Sequence, residues 1–327
     1  MSVSQIVGDT LAVKVSKKEL IADGVMYLEL IDPKGENLPK FTAGAHIDIQ
    51  LPNGLIRPYS LCGSSADRTA YEIGVLLEPN GRGGSKSVHE EIVLGAKLRI
   101  SYPKNHFPLA VAKHSVLFAG GIGITPILSM AQKLSDEAAS FEMHYSSRSR
   151  SRTAFAERIS ASHFSSKVQF HFDDGAEEQK LKASELLKNT DPTAHIYVCG
   201  PKGFMDHVIQ TAKDLNWPDT QIHFEYFKSE PVRKDDDGSF EVEYRPSGLV
   251  VRVPVDVTVA QALIDAGVEV PLSCEQGICG TCVMQVVEGD PDHRDMCLSD
   301  EDKGLKKMFT PCCSRAQSAR LVLDHQS

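Results

Sequence analysis

Six of the eight cysteines of this 327-residue chain lie within its last 54 residues. Three of them form the run Cys274-Glu-Gln-Gly-Ile-Cys279-Gly-Thr-Cys282, and 29 residues separate Cys282 from Cys312. The spacing C-x4-C-x2-C…C is the one with which a loop of thiolates holds a [2Fe–2S] cluster. Glycines within the run let the backbone come close and aim its N–H groups at sulfur. The motif therefore predicts a redox centre near the carboxyl end of the chain.

Two alternatives remain at this site. A structural zinc ion usually takes two short paired cysteine knuckles, whereas this run has a single C-x2-C that shares a cysteine with C-x4-C. The spacing therefore favours the cluster over zinc. The fourth ligand is open, because Cys312 and Cys313 are adjacent and Cys297 is also near in sequence.

The composition excludes several classes of protein. The chain has a net charge of −9, which argues against nucleic acid as a partner, because phosphate binding requires a basic surface. No apolar run approaches the ~18 residues of a membrane span, and the first residues lack the pattern of a secretory signal. We therefore expect a cytoplasmic protein that binds no membrane, in which thiols stay reduced and metal binding is favoured over disulfides.

The chain divides into segments of different pattern. In residues 1–110, short β-branched runs between Gly, Pro and Asn predict an antiparallel sheet closed as a barrel or sandwich. Residues 111–228 alternate strands with helices, which is typical of a doubly wound parallel sheet. The polar stretch 229–238 is interpreted as a linker, and residues 239–327 form a third domain that carries the cysteines. The predicted fold class is multidomain, α/β plus all-β.

A glycine-rich turn stands between a predicted strand and a predicted helix in Ser115–Pro126. A helix N-terminus offers free N–H groups to a pyrophosphate, and Pro126 suits a first helical turn. Pro126 also replaces the third glycine of G-x-G-x-x-G, so the turn alone is a weak signal. A later strand ends at Cys199-Gly200-Pro201, and ligands bind at strand carboxyl ends in such sheets. Cys199 either faces a nicotinamide or is a buried small residue.

Together these motifs resemble the phthalate dioxygenase reductase type of the ferredoxin–NADP reductase superfamily, a group that includes vanillate demethylase reductases. The resemblance covers essentially the whole chain. Its motifs are Arg57–Cys62 (RPYSLC), Gly81–Ser85 (GRGGS), Gly120–Pro126, Cys199–Pro201, the ferredoxin loop and the ending Cys312–Ala316 (CCSRA). It implies an antiparallel β-barrel flavin domain, a doubly wound nucleotide domain and a β-grasp ferredoxin domain, in that order.

The resemblance also implies cofactors and the residues that bind them. FMN would lie in the barrel domain, with Arg57, Tyr59 and Ser60 around it and Ser60 near the flavin N5. Its phosphate would be held by Gly83, Gly84 and Ser85. The residues implied at the nicotinamide dinucleotide are Gly120, Gly121, Gly123, Thr125, Pro126, Cys199, Gly200 and Pro201.

Further roles follow from the same resemblance. Ser60, Thr125 and Cys199 are the implied catalytic residues, of which Thr125 and Cys199 would orient the nicotinamide. Phe227 is a candidate to stack on the flavin, although Phe224 or Tyr226 could do so, and all three could be strand packing. Cys312 becomes the fourth cluster ligand beside Cys274, Cys279 and Cys282, while Cys297 and Cys313 are expected not to bind the cluster.

The preferred coenzyme is less clear from the residues. The family prefers NADH. The stretch Ser146–Arg152 follows the second strand of the nucleotide domain and contains three arginines, which suit the 2′-phosphate of NADPH or form a solvated loop. We expect NADH, with NADPH as the alternative.

The implied function is electron transfer from NADH through FMN and the cluster to a separate oxygenase. A flavin takes two electrons as hydride and passes them on singly, so it must stand between the other two centres. The chain shows neither a Rieske Cys/His pattern nor a convincing 2-His-1-carboxylate set. The nearest set, His293 with Asp290, Asp292 and Asp295, is interpreted as an exposed acidic turn.

Two other functions are compatible with these motifs. One is an iron–sulfur redox sensor or scaffold without steady turnover, and the other is a stand-alone flavin or ferric reductase. Residues 239–327 contain 14 acidic and 8 basic residues, a net of −6. That charge is either a solvated surface or a docking face for a basic redox partner.

Overall fold

The computed structural model describes residue 6, residues 9–227, residue 234 and residues 236–325. Its internal contacts divide the chain into two compact units, Met1–Phe227 and Lys228–Ser327. Most of the predicted linker, residues 229–233 and 235, lies outside the described residues. No helix of the described residues has both the length and the apolar character that a bilayer crossing requires.

The first six strands form an antiparallel sheet in the order β4-β3-β6-β1-β2-β5. They are β1 Thr10–Ala22, β2 Val25–Ile31, β3 His46–Gln50, β4 Ile56–Ser60, β5 Ala70–Leu76 and β6 Lys97–Ser101, with helix α1 at Gly84–Glu90 before β6. Leu61, just after β4, pairs with Ile73 of β5 and so joins the two ends of the sheet. The barrel is therefore closed, as predicted, around a core of aliphatic side chains.

The next five strands form a parallel sheet in the order β11-β10-β7-β8-β9. They are β7 Ser115–Gly120, β8 Phe141–Ser147, β9 Val168–Phe172, β10 His195–Cys199 and β11 Ile222–Glu225. The helices between them are α2 Ile124–Asp136, α3 Ala156–Ser160, α4 Ala183–Asn189 and α5 Lys202–Asp214. The chain leaves β7 in one direction towards β8 and returns on its other side as β10. This reversal is the switch point at which doubly wound sheets bind ligands.

The barrel and the parallel sheet share one hydrophobic core. Tyr27 and Cys62 of the barrel side pack in the same buried cluster as Ile124 and Tyr145 of the sheet and its first helix. An ion pair between Glu72 and Arg158 and a hydrogen bond from Ser151 Oγ to Asp23 Oδ2, at 2.6 Å, also join the two parts. Burial of this much apolar surface holds the carboxyl ends of β7 and β10 in a fixed position against the barrel.

The second unit contains a mixed sheet in the order β13-β12-β18-β14-β16, in which β12 and β18 are parallel, together with a separate two-stranded sheet of β15 and β17. Its strands are β12 Phe240–Tyr244, β13 Leu249–Val253, β14 Met284–Glu288, β15 Pro291–Asp292, β16 Met308–Phe309, β17 Arg315–Ala316 and β18 Arg320–Asp324. Helices α6 Val259–Asp265 and α7 Asp300–Leu305 complete this β-grasp domain. Cys312 lies in a turn, and the last strand, β18, begins at Arg320.

Candidate functional site

The end of β4 and the start of α1 meet on the barrel. A Cβ on Gly84 would lie 2.8 Å from Cγ of Arg57, so this glycine allows the arginine stem to pack directly on the helix start. Gly83 has a φ of 90°, the left-handed region that favours glycine, and its carbonyl accepts a hydrogen bond from Asn53 Nδ2 at 3.1 Å. The Oγ of Ser85 accepts from the backbone N–H of Glu78 at 3.0 Å. Arg57 and Gly84, 27 positions apart in sequence, thus belong to one polar cradle.

The glycine-rich turn lies at the switch point of the parallel sheet. Gly120 ends β7, residues Gly121–Gly123 form one 3-10 turn with Gly121 at a φ of 51°, and Pro126 is the third residue of α2. A Cβ on Gly123 would lie 2.2 Å from the carbonyl oxygen of Cys199. The turn and the end of β10 therefore touch backbone to backbone.

Gly200 and Pro201 complete this crevice from the other strand. A Cβ on Gly200 would lie 2.9 Å from Cα of Gly120, and Pro201 is the N-cap residue of α5. Two helices, α2 and α5, thus begin side by side at the ends of neighbouring strands. Their free N–H groups and positive dipole ends suit a pyrophosphate.

Thr125 links the crevice to the barrel. Its side chain is buried, and its Oγ1 donates to the carbonyl oxygen of Ile122 at 3.0 Å. Its methyl group would be 3.1 Å from a Cβ on Gly74 of β5. A hydroxyl-bearing residue is therefore held where helix α2 packs on the barrel.

A half-buried carboxyl group, which the sequence reasoning missed, connects Ser60 with Cys199. Ser60 Oγ at the end of β4 donates to Glu225 Oε2 at 3.5 Å, and Glu225 pairs in register with Cys199 on β10. Burial raises the pKa of Glu225 to about 8, against the opposing effect of the Ser60 hydrogen bond. Burial, followed by the charge of Glu225, also raises the pKa of the Cys199 thiol. A titratable group with a pKa close to neutral therefore lies where the barrel meets the sheet.

A signal for Glu225 was present in the sequence. It is the acidic residue of Phe224-Glu-Tyr-Phe227, at the carboxyl end of a strand predicted to lie beside β10. A carboxyl group at a strand end of a doubly wound sheet is a candidate site residue. The sequence prediction named only its aromatic neighbours Phe224, Tyr226 and Phe227.

The three aromatic candidates differ in their contacts. Tyr226 donates its hydroxyl to Asp206 Oδ1 at 3.0 Å and packs its ring edge-to-face with Phe224 at 5.5 Å. Phe227 is 37% exposed and lies two residues beyond Glu225. The contacts with Asp206 of α5 and with Phe224 hold the Tyr226 side chain against α5, on the outside of the sheet.

The four predicted cluster ligands come together as two pairs. Cys274 and Cys279 are in side-chain contact, as are Cys282 and Cys312, and all four are buried. Among the described residues, no three His, Cys, Asp or Glu side chains converge on a point that could hold one metal ion. Two pairs of thiols suit two irons with two cysteines each, and they do not suit a single zinc with four.

Backbone N–H groups of the cysteine loop stabilise negative charge on the sulfur atoms of the predicted ligands. The N–H groups of Gln276, Ile278 and Cys279 donate to Cys274 Sγ at 3.3–3.4 Å, and that of Gly277 donates to Cys312. Gly277 and Gly280 both have left-handed φ values, 70° and 67°. Such donors stabilise thiolates bound to iron, so these residues fit the cluster.

The set around His293 is not an exposed turn, in contrast to the sequence interpretation. The side chain of Asp295 is fully buried, and those of Asp292 and His293 are 10% exposed. Asp295 accepts from the N–H of Leu298 at 2.9 Å and from Thr310 Oγ1 at 3.2 Å. The set is an internal polar network that fixes the loops around the cysteines; within it, Asp290 alone is largely exposed.

The comparisons with known proteins cover both units. Residues 242–317 match the family model of the 2Fe-2S iron-sulfur cluster binding domain, and residues 103–222 match that of the dimethylamine monooxygenase subunit DmmA-like N-terminal domain. The vanillate O-demethylase oxidoreductase of Pseudomonas sp. strain HR199 is 51% identical over 95% of this chain and 98% of that protein. The phthalate dioxygenase reductase of Burkholderia cepacia is 40% identical over 96% and 97%.

A solved structure agrees with these relatives. It is a phthalate dioxygenase reductase, titled a modular structure for electron transfer from pyridine nucleotides to [2Fe–2S]. The match covers 96% of this chain and 98% of the chain in that structure, at 39% identity and a TM-score of 0.75.

Proposed function

Since the chain belongs to the family of vanillate O-demethylase oxidoreductases and phthalate dioxygenase reductases, we propose that it passes electrons from NADH to a separate oxygenase. FMN and the [2Fe–2S] cluster would be its internal carriers. The observation that carries the proposal is the meeting of Ser60, Glu225 and Cys199 where the barrel abuts the switch point. That meeting would bring a flavin ring and a nicotinamide into one buried, titratable environment.

Each residue of this meeting point has a distinct role in the proposal. When bound, FMN accepts a hydride from NADH, and the cluster accepts electrons one at a time. Ser60 would place its hydroxyl near the flavin N5, and Glu225, hydrogen-bonded to Ser60, would take up or supply through that hydroxyl the proton that N5 exchanges. Cys199 and Thr125 position the nicotinamide by contact and exclude water, since both are buried. Phe227 would stack on the flavin where the nicotinamide enters.

The phosphate groups have their own residues. Arg57 and the backbone of Gly83, Gly84 and Ser85 hold the FMN phosphate in the cradle at the start of α1. The starts of α2 and α5, at Gly120–Pro126 and Gly200-Pro201, hold the pyrophosphate of the coenzyme.

NADH is the proposed coenzyme. The three arginines of Ser146–Arg152 are exposed, and the structure adds two carboxyl residues beside them. Asp173 and Asp174 follow β9 and bond through their N–H groups to the carbonyls of Ser147, at 3.0 Å, and Arg148, at 3.2 Å. A carboxylate at this edge suits the free 2′-hydroxyl of NADH and repels a 2′-phosphate. We expect kcat/KM for NADH to exceed that for NADPH by about tenfold or more, as measured by cytochrome c reduction.

The partner and the location follow from the same reasoning. The ferredoxin domain carries a net charge of −6, which suits a basic docking surface on the oxygenase. None of the eight cysteines, all within the described residues, forms a disulfide, which supports a reducing, cytoplasmic compartment. The two other functions, a redox sensor without turnover and a stand-alone flavin or ferric reductase, predict different electron routes.

The variant Cys279→Ser separates these routes. If electrons leave through the cluster, the variant loses nearly all NADH–cytochrome c activity but keeps NADH–ferricyanide activity, because ferricyanide takes electrons directly from the flavin. Cys297→Ser, outside the two cysteine pairs, is the matched control and keeps both activities. Survival of cytochrome c reduction in Cys279→Ser would support a stand-alone flavin reductase. Absence of steady NADH oxidation in the wild-type chain would support a sensor.

A further inference from the structure

A fifth thiol lies against the cluster loop. Cys313 is half-buried, and its side chain contacts that of Cys312. A Cβ on Gly277 would lie 2.4 Å from Cys313 Sγ, so the sulfur packs on the backbone between two ligand cysteines. Gly277 therefore contacts both thiols. Its N–H donates to Cys312, and the side of its Cα where other residues carry a Cβ faces Cys313.

The turn that carries both thiols is short, and its backbone is bonded at Thr310 and Pro311, whereas the Cys313 thiol makes only long contacts with hydroxyls. Residues 311–313 form this turn, in which the N–H groups of Cys313 and Ser314 both donate to the carbonyl of Thr310, at 3.2 and 3.0 Å. The Sγ of Cys313 has only long contacts with hydroxyls, 3.5 Å to Thr310 Oγ1 and 3.9 Å to Ser314 Oγ. Weak contacts of this kind cost little to break.

We propose that Cys313 is a reserve ligand of the cluster, able to replace Cys312 at its iron. The inference rests on the proposed function, since it requires the cluster. In the exchange, the Cys313 thiol loses its proton and forms an Fe–S bond, while the Cys312–iron bond breaks and Cys312 takes up a proton. No electron is transferred in this ligand exchange. The site would thus keep its cluster through damage to one of its four ligands.

The test uses iron content and the EPR spectrum of the reduced full-length protein. Cys312→Ala offers no ligand atom of its own, and we expect it to retain about two irons per chain, with an EPR spectrum shifted from that of wild type. Cys312→Ala/Cys313→Ala should lose the cluster. Cys312→Ala/Cys297→Ala is the matched control and should match Cys312→Ala, because the Cys297 thiol donates to the Asp295 carboxylate, whereas the Cys313 thiol packs against Cys312 and Gly277. Cys313→Ala alone should have the wild-type spectrum.

Several results would overturn the inference. One is loss of iron in folded Cys312→Ala; another is equal iron content with and without Cys313. If Cys312→Ala is unfolded by circular dichroism, the Cys312→Val background, which fills the site without offering a ligand atom, replaces it. There the cluster must depend on Cys313 in the same way, and equal retention in Cys312→Val/Cys313→Ala refutes the inference. Absence of iron from the wild-type protein would instead refute the proposed function.

Discussion

At the scale of single residues, the chemistry depends on buried groups that change state. Glu225 is held beside Ser60 and Cys199 by the register of β10 and β11, and burial raises its pKa to about 8. A carboxyl group that is half-protonated at about pH 8, and still partly ionised near neutral pH, can take and return a proton, which an ordinary surface glutamate cannot do there. Its environment, more than its residue type, gives it this capacity.

The raised pKa also predicts how stability depends on pH. Between the unfolded pKa near 4.5 and the folded value near 8, the folded protein binds more protons at Glu225, so its stability falls as pH rises through this interval. Glu225→Gln should remove that contribution. At pH 9 we expect its thermal midpoint to exceed that of wild type by at least ~2 °C, the effect of about 1 kcal/mol in a domain of this size.

The control for this experiment is Glu157→Gln, which alters an exposed glutamate on α3. It should follow the wild-type pH profile, as measured by circular dichroism between pH 5 and pH 9. A Glu225→Gln profile parallel to that of wild type would contradict the assignment of a raised pKa.

At the scale of elements, the site depends on how closely strand ends approach each other. The turn after β7 and the end of β10 touch through backbone atoms because Gly123 and Gly200 have no side chains. That contact brings the starts of α2 and α5 together at the switch point. At these two positions glycine is required because it lets two elements approach closely. At Gly121 glycine is favoured for a different reason, the left-handed backbone conformation.

Gly123→Ala tests this requirement. The added methyl group would meet the Cys199 carbonyl at 2.2 Å, so the strand ends must separate. We expect a loss of about 1–3 kcal/mol in the free energy of unfolding and a higher KM for NADH. The matched control is Gly203→Ala on α5, where no atom lies within 4 Å of the added group; it should be neutral or stabilising by up to ~1 kcal/mol. Urea unfolding and steady-state kinetics measure both effects, and equal behaviour of the two variants would disprove the contact.

At the scale of the whole molecule, two units carry two kinds of chemistry. The barrel and the parallel sheet share a core and belong to one unit, while the ferredoxin domain has its own core. Within the second unit, Arg294 is buried between Asp237 and Asp292, and Lys234 bonds to Asp292 at 2.8 Å. These ion pairs attach the first described residues of the unit to the domain that holds the cluster.

Arg294→Met should unfold the second unit selectively. It removes the buried cation that the two carboxylates share, while Asp292 keeps Lys234 and Asp237 keeps Arg315, so we expect a cost of about 1–3 kcal/mol. Calorimetry of the loaded protein should show a lower transition for the ferredoxin domain and an unchanged one for the other unit. Arg252→Met, at an exposed arginine of β13, should change neither. Because Arg294 lowers the pKa of Asp237, the stability that the wild type gains from this ion pair should be lost only as pH falls below about 4. A single merged transition in all variants would contradict the independent unfolding of the two units.

Patterns local in sequence predicted most of this molecule. The cysteine spacing indicated the cluster, and the change from short strands to strand–helix alternation indicated the barrel and the parallel sheet. Glu225 and the buried state of Asp295 were missed because both depend on contacts between distant segments, Ser60 with Glu225 and Thr310 with Asp295. The pairing of Cys282 with Cys312 likewise depends on the fold of 29 intervening residues. The roles of the flavin and nicotinamide residues remain predictions.

The closure of the barrel by the Leu61–Ile73 bridge bears on how this protein behaves in a crowded solution. A closed barrel has no free edge to which a foreign strand could add. In the ferredoxin sheet one outer strand, β13, carries Arg252, and the other, β16, is two residues long, so neither is a good template for aggregation. Encounters with other proteins through these two sheets must therefore be made by side chains and not by strand addition. A carrier that must release each acceptor before the next delivery benefits from such surfaces.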